Sequence, residues 1–290
     1  MGVGPHGTFR PIERDDTIEH PRAPATRAPR RRPKLNAKAA RILRESGSRG
    51  LVARTIALAY RRGIRPWLPR GGAVHYAGLP TALHRKWLDR IVPLLWTAAE
   101  TVDIPDYEAA LVSAIREHVR AGDRVVVVGG GIGVTATMAA LMTGPAGSVH
   151  CFEGAAECVE KVRRTADANA VGDRVSVDHA VVGRAILVYG TVPDHAIVRP
   201  EELPECDVLE LDCEGAEIEI LRHMTVRPRA VLVEAHGLHG APTEAVLALL
   251  RQLGYRATVV GLAEPRLAEF CQAGDIRVVA GVRSDAVESA

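Results

Sequence analysis

The chain has 290 residues, of which 47% are hydrophobic and 25% are charged, and its formal net charge at pH 7 is +2. This length allows one large domain with appendages or two small domains, and the apolar content is sufficient for a substantial core. Residues 1–70 carry 17 Lys and Arg against 5 Asp and Glu, so a basic leading segment precedes an acidic body. The sequence shows no apolar run near the ~18 residues of a membrane span and no apolar stretch of a secretory signal.

The cysteines argue against a metal cluster and against a disulfide framework. There are five, an odd number, and no two of them form a C-x-x-C pair. Such usage is typical of a reducing compartment, so we expect a soluble, cytoplasmic protein. The cysteines are Cys151, Cys158, Cys206, Cys213 and Cys271.

The N-terminal third divides into two predicted parts. Residues 1–35 are rich in Pro and Arg and have few large apolar side chains, which predicts a disordered basic tail. The alternative is an arm that contacts nucleic acid or acidic lipid head groups. Residues 36–104 form a predicted helical extension, with helical spacing within 37–62, loops or short extended pieces over 63–80, and an amphipathic helix over Thr81–Trp96.

From residue 105 onward, strands and helices alternate. Asp106 is the predicted N-cap of a helix that runs to about Arg120 and stops before Gly122. Thr243 is the predicted cap of the last helix. The alternation predicts an α/β fold with a mostly parallel sheet and helices on both faces, with residues 184–204 as an irregular excursion. Strands are expected near 124–129, 148–153, 174–179, 206–212, 229–235, 255–260 and 276–281, and helices near 133–143, 155–169, 215–224 and 243–253.

A glycine-rich turn follows the first of these strands. Residues 125–135 read VVVVGGGIGVT, in which a buried strand leads through glycines directly into a helix. The helix start offers free N–H groups to a ligand in the turn. Glu153 ends the next strand, where a carboxylate suits the two hydroxyls of a ribose. The dinucleotide pattern fails because its last place falls on Val134, whereas G-x-G-x-G fits and resembles the first motif of Rossmann-like S-adenosylmethionine methyltransferases.

A second group of polar residues falls on the same predicted edge of the sheet. Residues 206–221 read CDVLELDCEGAEIEIL, so a buried strand ends at Asp212 and Glu214. The next strand ends at Glu234 and His236. Ligands of doubly wound sheets bind at the carboxyl ends of the strands, so these side chains are candidates for proton transfer.

Taken together, these stretches resemble the FkbM family of S-adenosylmethionine-dependent methyltransferases over roughly residues 105–262. The similarity is carried by VVVVGGGIGVTA, VHCFEG, VLELDCEGAEIEIL and VLVEAH, and the D-x-E-G-A-E segment at Asp212–Glu217 is the most specific of them. The resemblance implies a Rossmann-like, class I methyltransferase fold with a seven-stranded sheet that has one antiparallel member. It also implies methylation of hydroxyls, often on sugars or polyketide-type compounds.

The resemblance assigns roles to individual positions. Gly129, Gly131 and Gly133 would line the methionine part of S-adenosylmethionine and Glu153 would hold its ribose. The adenine ring would lie against Asp178, His179 and Ala180, and Glu108 would lie near the pocket mouth. The family usually has an acid at the place of Val127 and Asn at that of Gly131, and it often has Lys at that of Glu210.

The sequence therefore predicts transfer of a methyl group to a hydroxyl of a small molecule or glycan. The predicted catalytic residues are Asp212, His236 and Glu214, with Asp212 or His236 as the base. Glu214 could instead cap the following helix, and Glu217 could be an ordinary residue of the helix surface. No metal is assigned, although Asp212, Glu214 and His236 are also a possible set of ligands for a hard divalent ion.

Two other functions stay open. One is a regulatory module of the same fold that binds the cofactor weakly or not at all. The other is an RNA methyltransferase that uses the basic arm, against which stand the acidic body and the lack of an Asn/Asp-Pro-Pro-aromatic motif. The sequence identifies neither the acceptor nor the oligomeric state.

Overall fold

The computed structural model describes residues 104–183 and 196–283 and, before them, residues 70–86 and most of residues 52–68. The predicted basic tail and the first predicted helix after it lie outside the described residues. No helix in the described ranges is long and apolar enough to cross a bilayer.

A two-stranded hairpin precedes the main sheet. Its strands β1 (Arg70–Tyr76) and β2 (Leu79–Lys86) are antiparallel and pair Tyr76 with Leu79 across the turn. The two turn residues, Ala77 and Gly78, both have positive φ, as the type I′ form of a two-residue hairpin turn requires. The helix predicted over Thr81–Trp96 is therefore wrong for residues 81–86, because the turn imposes strand pairing on them; residues 87–96 lie outside the described part.

The main sheet contains eight described strands in the order β6-β5-β4-β3-β7-β8-β10-β9. Neighbouring strands are parallel except that β10 is antiparallel to both β8 and β9. The strands are β3 (Arg124–Val128), β4 (Ser148–Glu153), β5 (Val175–Val182), β6 (Ala196–Val198), β7 (Val208–Leu211), β8 (Ala230–His236), β9 (Tyr255–Leu262) and β10 (Ile276–Arg283).

Helices cover both faces of this sheet, so its central strands are apolar on both sides. Val125 and Val127 face the layer of α1, α2 and α3, whereas Val126 and Val128 face α4 and α5. The helices are α1 (Ala109–His118), α2 (Val134–Thr143), α3 (Ala156–Ala168), α4 (Glu217–His223), α5 (Thr243–Gln252) and α6 (Ala268–Gly274). The predicted α/β fold with a mostly parallel sheet is confirmed, with one strand more than predicted.

The extra strand and the helix caps differ from the predictions. The strand β6 extends the sheet edge inside the segment predicted to be irregular. The first helix begins after Glu108 rather than after Asp106. Thr243 does not cap α5 through its hydroxyl, which instead donates to Asp275 Oδ1 at 2.7 Å. The helix α6 falls in a stretch where none was predicted.

Candidate active site

The glycine turn after β3 adopts a backbone that other residues rarely take. Gly129, Gly131 and Gly133 have φ of 100°, 52° and 87°. A Cβ on Gly129 would lie 1.8 Å from the carbonyl oxygen of Asp212, and one on Gly133 would lie 2.7 Å from Cα of Val162. A Cβ on Gly131 would meet nothing within 4 Å. Two of the glycines therefore allow close packing, and the third borders open space beside the start of α2.

Glu153 holds this turn in place. Its Oε2 accepts hydrogen bonds from the backbone N–H of Gly130 at 2.9 Å and of Gly131 at 2.8 Å, and its Oε1 accepts one from Ala155 at 2.7 Å. A carboxylate has about four lone-pair positions, so one remains for a ribose hydroxyl. Glu153 therefore stabilises the glycine turn, a role that sequence reasoning missed. Its contact with the ribose stays a prediction.

The residues predicted to line the adenine lie on two faces of β5. His179 is the register partner of Glu153 and lies on the same face, with Nε2 3.2 Å from the carbonyl oxygen of Gly154. Asp178 points to the other face, where its Oδ2 is 2.8 Å from His150 Nε2. Ala180 is buried in the core on that face. The structure thus brings His179 to Glu153, and the adenine contacts stay predictions.

Thr165 of helix α3 holds the glycine turn through a hydrogen bond. Thr165 donates its hydroxyl to the carbonyl oxygen of Ile132, which lies inside the glycine turn, at 2.7 Å. The same hydroxyl accepts the backbone N–H of Ala82 in β2 at 3.0 Å. The hairpin that the sequence did not predict is therefore tied to the wall of the predicted cofactor site.

The predicted catalytic residues meet at the ends of β7 and β8. Nε2 of His236 lies 3.6 Å from Asp212 Oδ1 and 3.7 Å from Glu214 Oε2. Glu214 Oε2 is also 3.0 Å from Nδ1 of His239, a neighbour that sequence reasoning did not assign. The side chain of His236 is buried, while those of Asp212 and Glu214 are about three-quarters buried. The structure therefore brings all three predicted residues into one cluster.

Glu217 orients His236 from behind. Its Oε1 is 2.8 Å from His236 Nδ1 and accepts backbone N–H groups of Cys213 at 3.3 Å and Gly215 at 3.1 Å. Glu217 is fully buried, so its alternative as ordinary helix surface is wrong. The sequence signal for this role was the last acid of the D-x-E-G-A-E segment, which follows Asp212 by five residues. The turn over residues 213–216 brings its side chain back beside the end of β7.

Glu234 is a further buried acid of the cluster. It lies two residues before His236 on the same face of β8, and its Oε1 is 3.5 Å from Nε2 of His236. Burial disfavours the imidazolium, but hydrogen bonds to Glu217 and Glu234 and the charge of Asp212 outweigh it and raise the pKa of His236 to about 11. Burial and the charge of Glu234 raise the pKa of Asp212 well above its ordinary value.

Glu108 lies at the start of the helix that precedes β3. It stands at the N-cap position of α1 with a left-handed φ of 46°. Burial and the charge of Glu234 raise the pKa of its carboxyl well above the ordinary value. Its predicted place at the pocket mouth stays a prediction.

Two of the departures from the family pattern lie side by side. Val127 of β3 is the register partner of Glu210 of β7, and both side chains are fully buried on the face of α1 and α2. Burial raises the pKa of Glu210 to about 8. Neither carboxyl oxygen of Glu210 makes a hydrogen bond of good geometry among the described residues, although the hydroxyl of Thr135 lies near enough to lower the pKa in part. Both differences from the family pattern therefore fall at one cross-strand contact.

Comparison with known proteins gives one family and many structural likenesses. Residues 131–257 match the methyltransferase FkbM domain. No curated protein sequence matches the chain.

The structural likenesses are distant. Precorrin-6y C5,15-methyltransferase from Geobacter metallireducens is 13% identical, with 65% of this chain and 94% of that one covered and a TM-score of 0.44. Cofactor-bound Rv0187 from MTB is 17% identical, with 85% and 95% covered and a TM-score of 0.37. A SAM-dependent O-methyltransferase from Thermotoga maritima is 16% identical, with 69% and 71% covered and a TM-score of 0.41.

The domain match begins inside the glycine turn at Gly131 and ends in β9, so it spans Glu153, the D-x-E-G-A-E segment and the end of β8. These are the stretches that carry the resemblance in the sequence. The open side of Gly131 and the free position on Glu153 fit a bound nucleoside cofactor. Residues 131–257 of the chain therefore carry a methyltransferase FkbM domain, a match that supports S-adenosylmethionine-dependent methyl transfer.

Proposed function

We propose that this methyltransferase acts on a hydroxyl group of a small molecule or a sugar. The observation that carries the proposal is the contact between the two halves of the site. The backbone carbonyl oxygen of Asp212 lies 1.8 Å from where a Cβ on Gly129 would be, so the glycine turn packs against the residue that carries one of the candidate acceptor-side carboxylates. A methyl group held at the turn therefore lies beside groups that accept protons.

The chain's contribution to such a reaction is alignment and proton transfer. S-adenosylmethionine supplies an electrophilic methyl group on sulfur, and its displacement requires the acceptor oxygen in line with that bond. Gly129, Gly131 and Gly133 would hold the methionine part and Glu153 the ribose. A hydroxyl is a weak nucleophile, so its proton must go to a nearby base as the new bond forms.

The position of the side chains favours the carboxylates as that base. Both ring nitrogens of His236 face carboxylates, because Glu217 lies at Nδ1 and Asp212, Glu214 and Glu234 surround Nε2. His236 is therefore better placed to orient the acids than to approach an acceptor. Asp212 and Glu214 are partly exposed, with side chains 22% and 24% accessible, so an acceptor hydroxyl can reach them.

The test is methyl transfer from labelled S-adenosylmethionine to the small molecules of a native cell extract, followed by mass spectrometry and NMR of each labelled product. We expect the new methyl group on oxygen. Glu214→Gln and Asp212→Asn should lower kcat by roughly 10²–10⁴, the contribution of a general base. Glu244→Gln, an exposed glutamate at the start of α5, is the matched control.

Two outcomes would contradict the proposal. Methyl groups found on nitrogen or carbon would show that the acceptor is not a hydroxyl. Calorimetry that detects no binding of S-adenosylmethionine or S-adenosylhomocysteine at millimolar concentration would instead favour the regulatory module.

A further inference from the structure

We propose that Asp212, Glu234 and His236 form a binding site for one divalent metal ion. One oxygen of each acid and one ring nitrogen of the histidine all lie within 4.8 Å of one another. His236 Nε2 is 3.6 Å from Asp212 Oδ1 and 3.5 Å from Glu234 Oε1. Divalent ions bind such atoms at about 2.0–2.2 Å, which places neighbouring ligand atoms roughly 3–4 Å apart. The three groups need only small movements to share an ion.

A buried oxygen without a partner points independently to a ligand. The side chain of Glu234 is 10% exposed, and its Oε2 has no hydrogen-bond partner among the described residues. A carboxylate oxygen withdrawn from water without a partner is costly. A cation between Glu234 and Asp212 would satisfy that oxygen and offset the repulsion between the two acids.

The histidine is held as a metal ligand commonly is. Its Nδ1 is 2.8 Å from the fully buried carboxylate of Glu217, which leaves Nε2 directed at the other two groups. A ligating histidine almost always gives its second ring N–H to a carboxylate or carbonyl, which fixes the tautomer and the ring orientation. Glu217 thus orients the imidazole of His236 without binding the ion itself.

The fold also makes the set rigid. Glu234 and His236 lie two residues apart on one face of β8, a central strand that is buried along its whole length. Asp212 follows β7 directly, and β7 is the parallel neighbour of β8. Ligands on neighbouring strands need no loop to order itself before the ion binds.

The chemistry of the donors narrows the kind of ion. One imidazole and two carboxylates suit Mn²⁺, Fe²⁺ or Zn²⁺, and Mg²⁺ is compatible with the oxygens. Three protein ligands leave positions open for the acceptor. The role of the ion in the reaction rests on the proposed function: an acceptor hydroxyl bound to it loses its proton more readily. Glu214 is not in the ligand set and adjoins it, so it is placed to take that proton. The prediction from the sequence that the site holds no metal would then be wrong.

The binding test uses Mn²⁺ alone with the full chain after removal of metals by EDTA and dialysis. Loss of the electron paramagnetic resonance signal of free Mn²⁺ measures binding without any acceptor or methyl donor. We expect one ion per chain. Glu234→Gln and Asp212→Asn should each weaken binding by roughly 10-fold or more, and Glu217→Gln by about 10–100-fold, as for other outer-shell partners. Glu244→Gln should bind as the unchanged chain does.

Folding and catalysis are read separately. Circular dichroism establishes that each variant is folded, and Mn²⁺ should raise Tm of the unchanged chain in a concentration-dependent way and raise that of folded Glu234→Gln less at the same concentration. Equal Mn²⁺ affinity in Glu234→Gln, Asp212→Asn and the unchanged chain, or no binding at millimolar Mn²⁺, overturns the site. If Mn²⁺ binds as proposed and methyl transfer is the same with and without EDTA, the site stands and its role in the reaction fails. If no metal binds and methyl transfer proceeds, the proposed function stands alone.

Discussion

The two glycines at the ends of the turn and the one in its middle should respond differently to the same substitution. Alanine at Gly129 or Gly131 takes a left-handed backbone in both cases, which costs about 1–2 kcal/mol. At Gly129 the new Cβ would also lie 1.8 Å from the carbonyl oxygen of Asp212. That separation is about 1 Å shorter than any contact a real Cβ makes, and the atom it meets is backbone that cannot rotate away.

We therefore expect Gly129→Ala to lose about 1–3 kcal/mol more of the free energy of unfolding than Gly131→Ala, the usual cost of overpacking. Gly131→Ala should instead weaken binding of S-adenosylmethionine more than it weakens folding, because its Cβ enters the open space beside the turn. Urea denaturation measures the first quantity and titration calorimetry the second. Equal losses of stability in the two variants would show that Asp212 does not pack against the turn as described.

Three further predictions concern buried polar groups. Glu153→Gln should lower the free energy of unfolding by about 1–3 kcal/mol and weaken cofactor binding, because the amide NH₂ faces backbone N–H groups that donate to the carboxylate. Urea denaturation measures the stability and calorimetry the affinity, and an unchanged affinity would count against this role. Arg229→Met should lower the free energy of unfolding by about 3–5 kcal/mol, because buried Asp123, 2.6 Å away, loses its ion-pair partner and keeps only the backbone N–H of Arg120; urea denaturation checks this, and a loss near zero would contradict it. In a double-mutant cycle, Val127→Asp and Glu210→Lys should each destabilise and couple favourably by about 0.5–3 kcal/mol, whereas purely additive losses would argue against their contact.

The sequence predicted the main sheet well because its strands are short apolar runs between clear turn residues. The predicted 148–153 coincides with β4, and 124–129 differs from β3 by one residue at its end. A continuous apolar run of this length, bounded by turn residues, is typical of a parallel strand that is buried on both faces. The helix predicted over residues 81–86 was wrong because the prediction relied on leucine and tryptophan at helical spacing. The Ala-Gly turn that precedes them is short, and it marks a hairpin only when the strands on both sides of it pair.

The candidate site was predictable in its parts and not in its connections. Strand ends bring Asp212, Glu214 and His236 together by topology alone, which the sequence pattern revealed. The two bonds that organise the site could not be read in the same way. Glu153 closing on the glycine turn, and Glu217 on His236, depend on side-chain directions after a turn, and a surface glutamate at the start of a helix has the same pattern.

The paired departures at Val127 and Glu210 show how such a site can change without losing its form. A buried acid beside a buried lysine on neighbouring strands is stable only as a pair, since removing either partner leaves an uncompensated charge. In this chain valine removes the acid, and the carboxyl of Glu210, whose pKa burial raises to about 8, can remain neutral at pH 7. Glu210 lies on the same face as Asp212, and the charge of Glu234 acts on its carboxyl, so Glu210 belongs to the acidic side of the site.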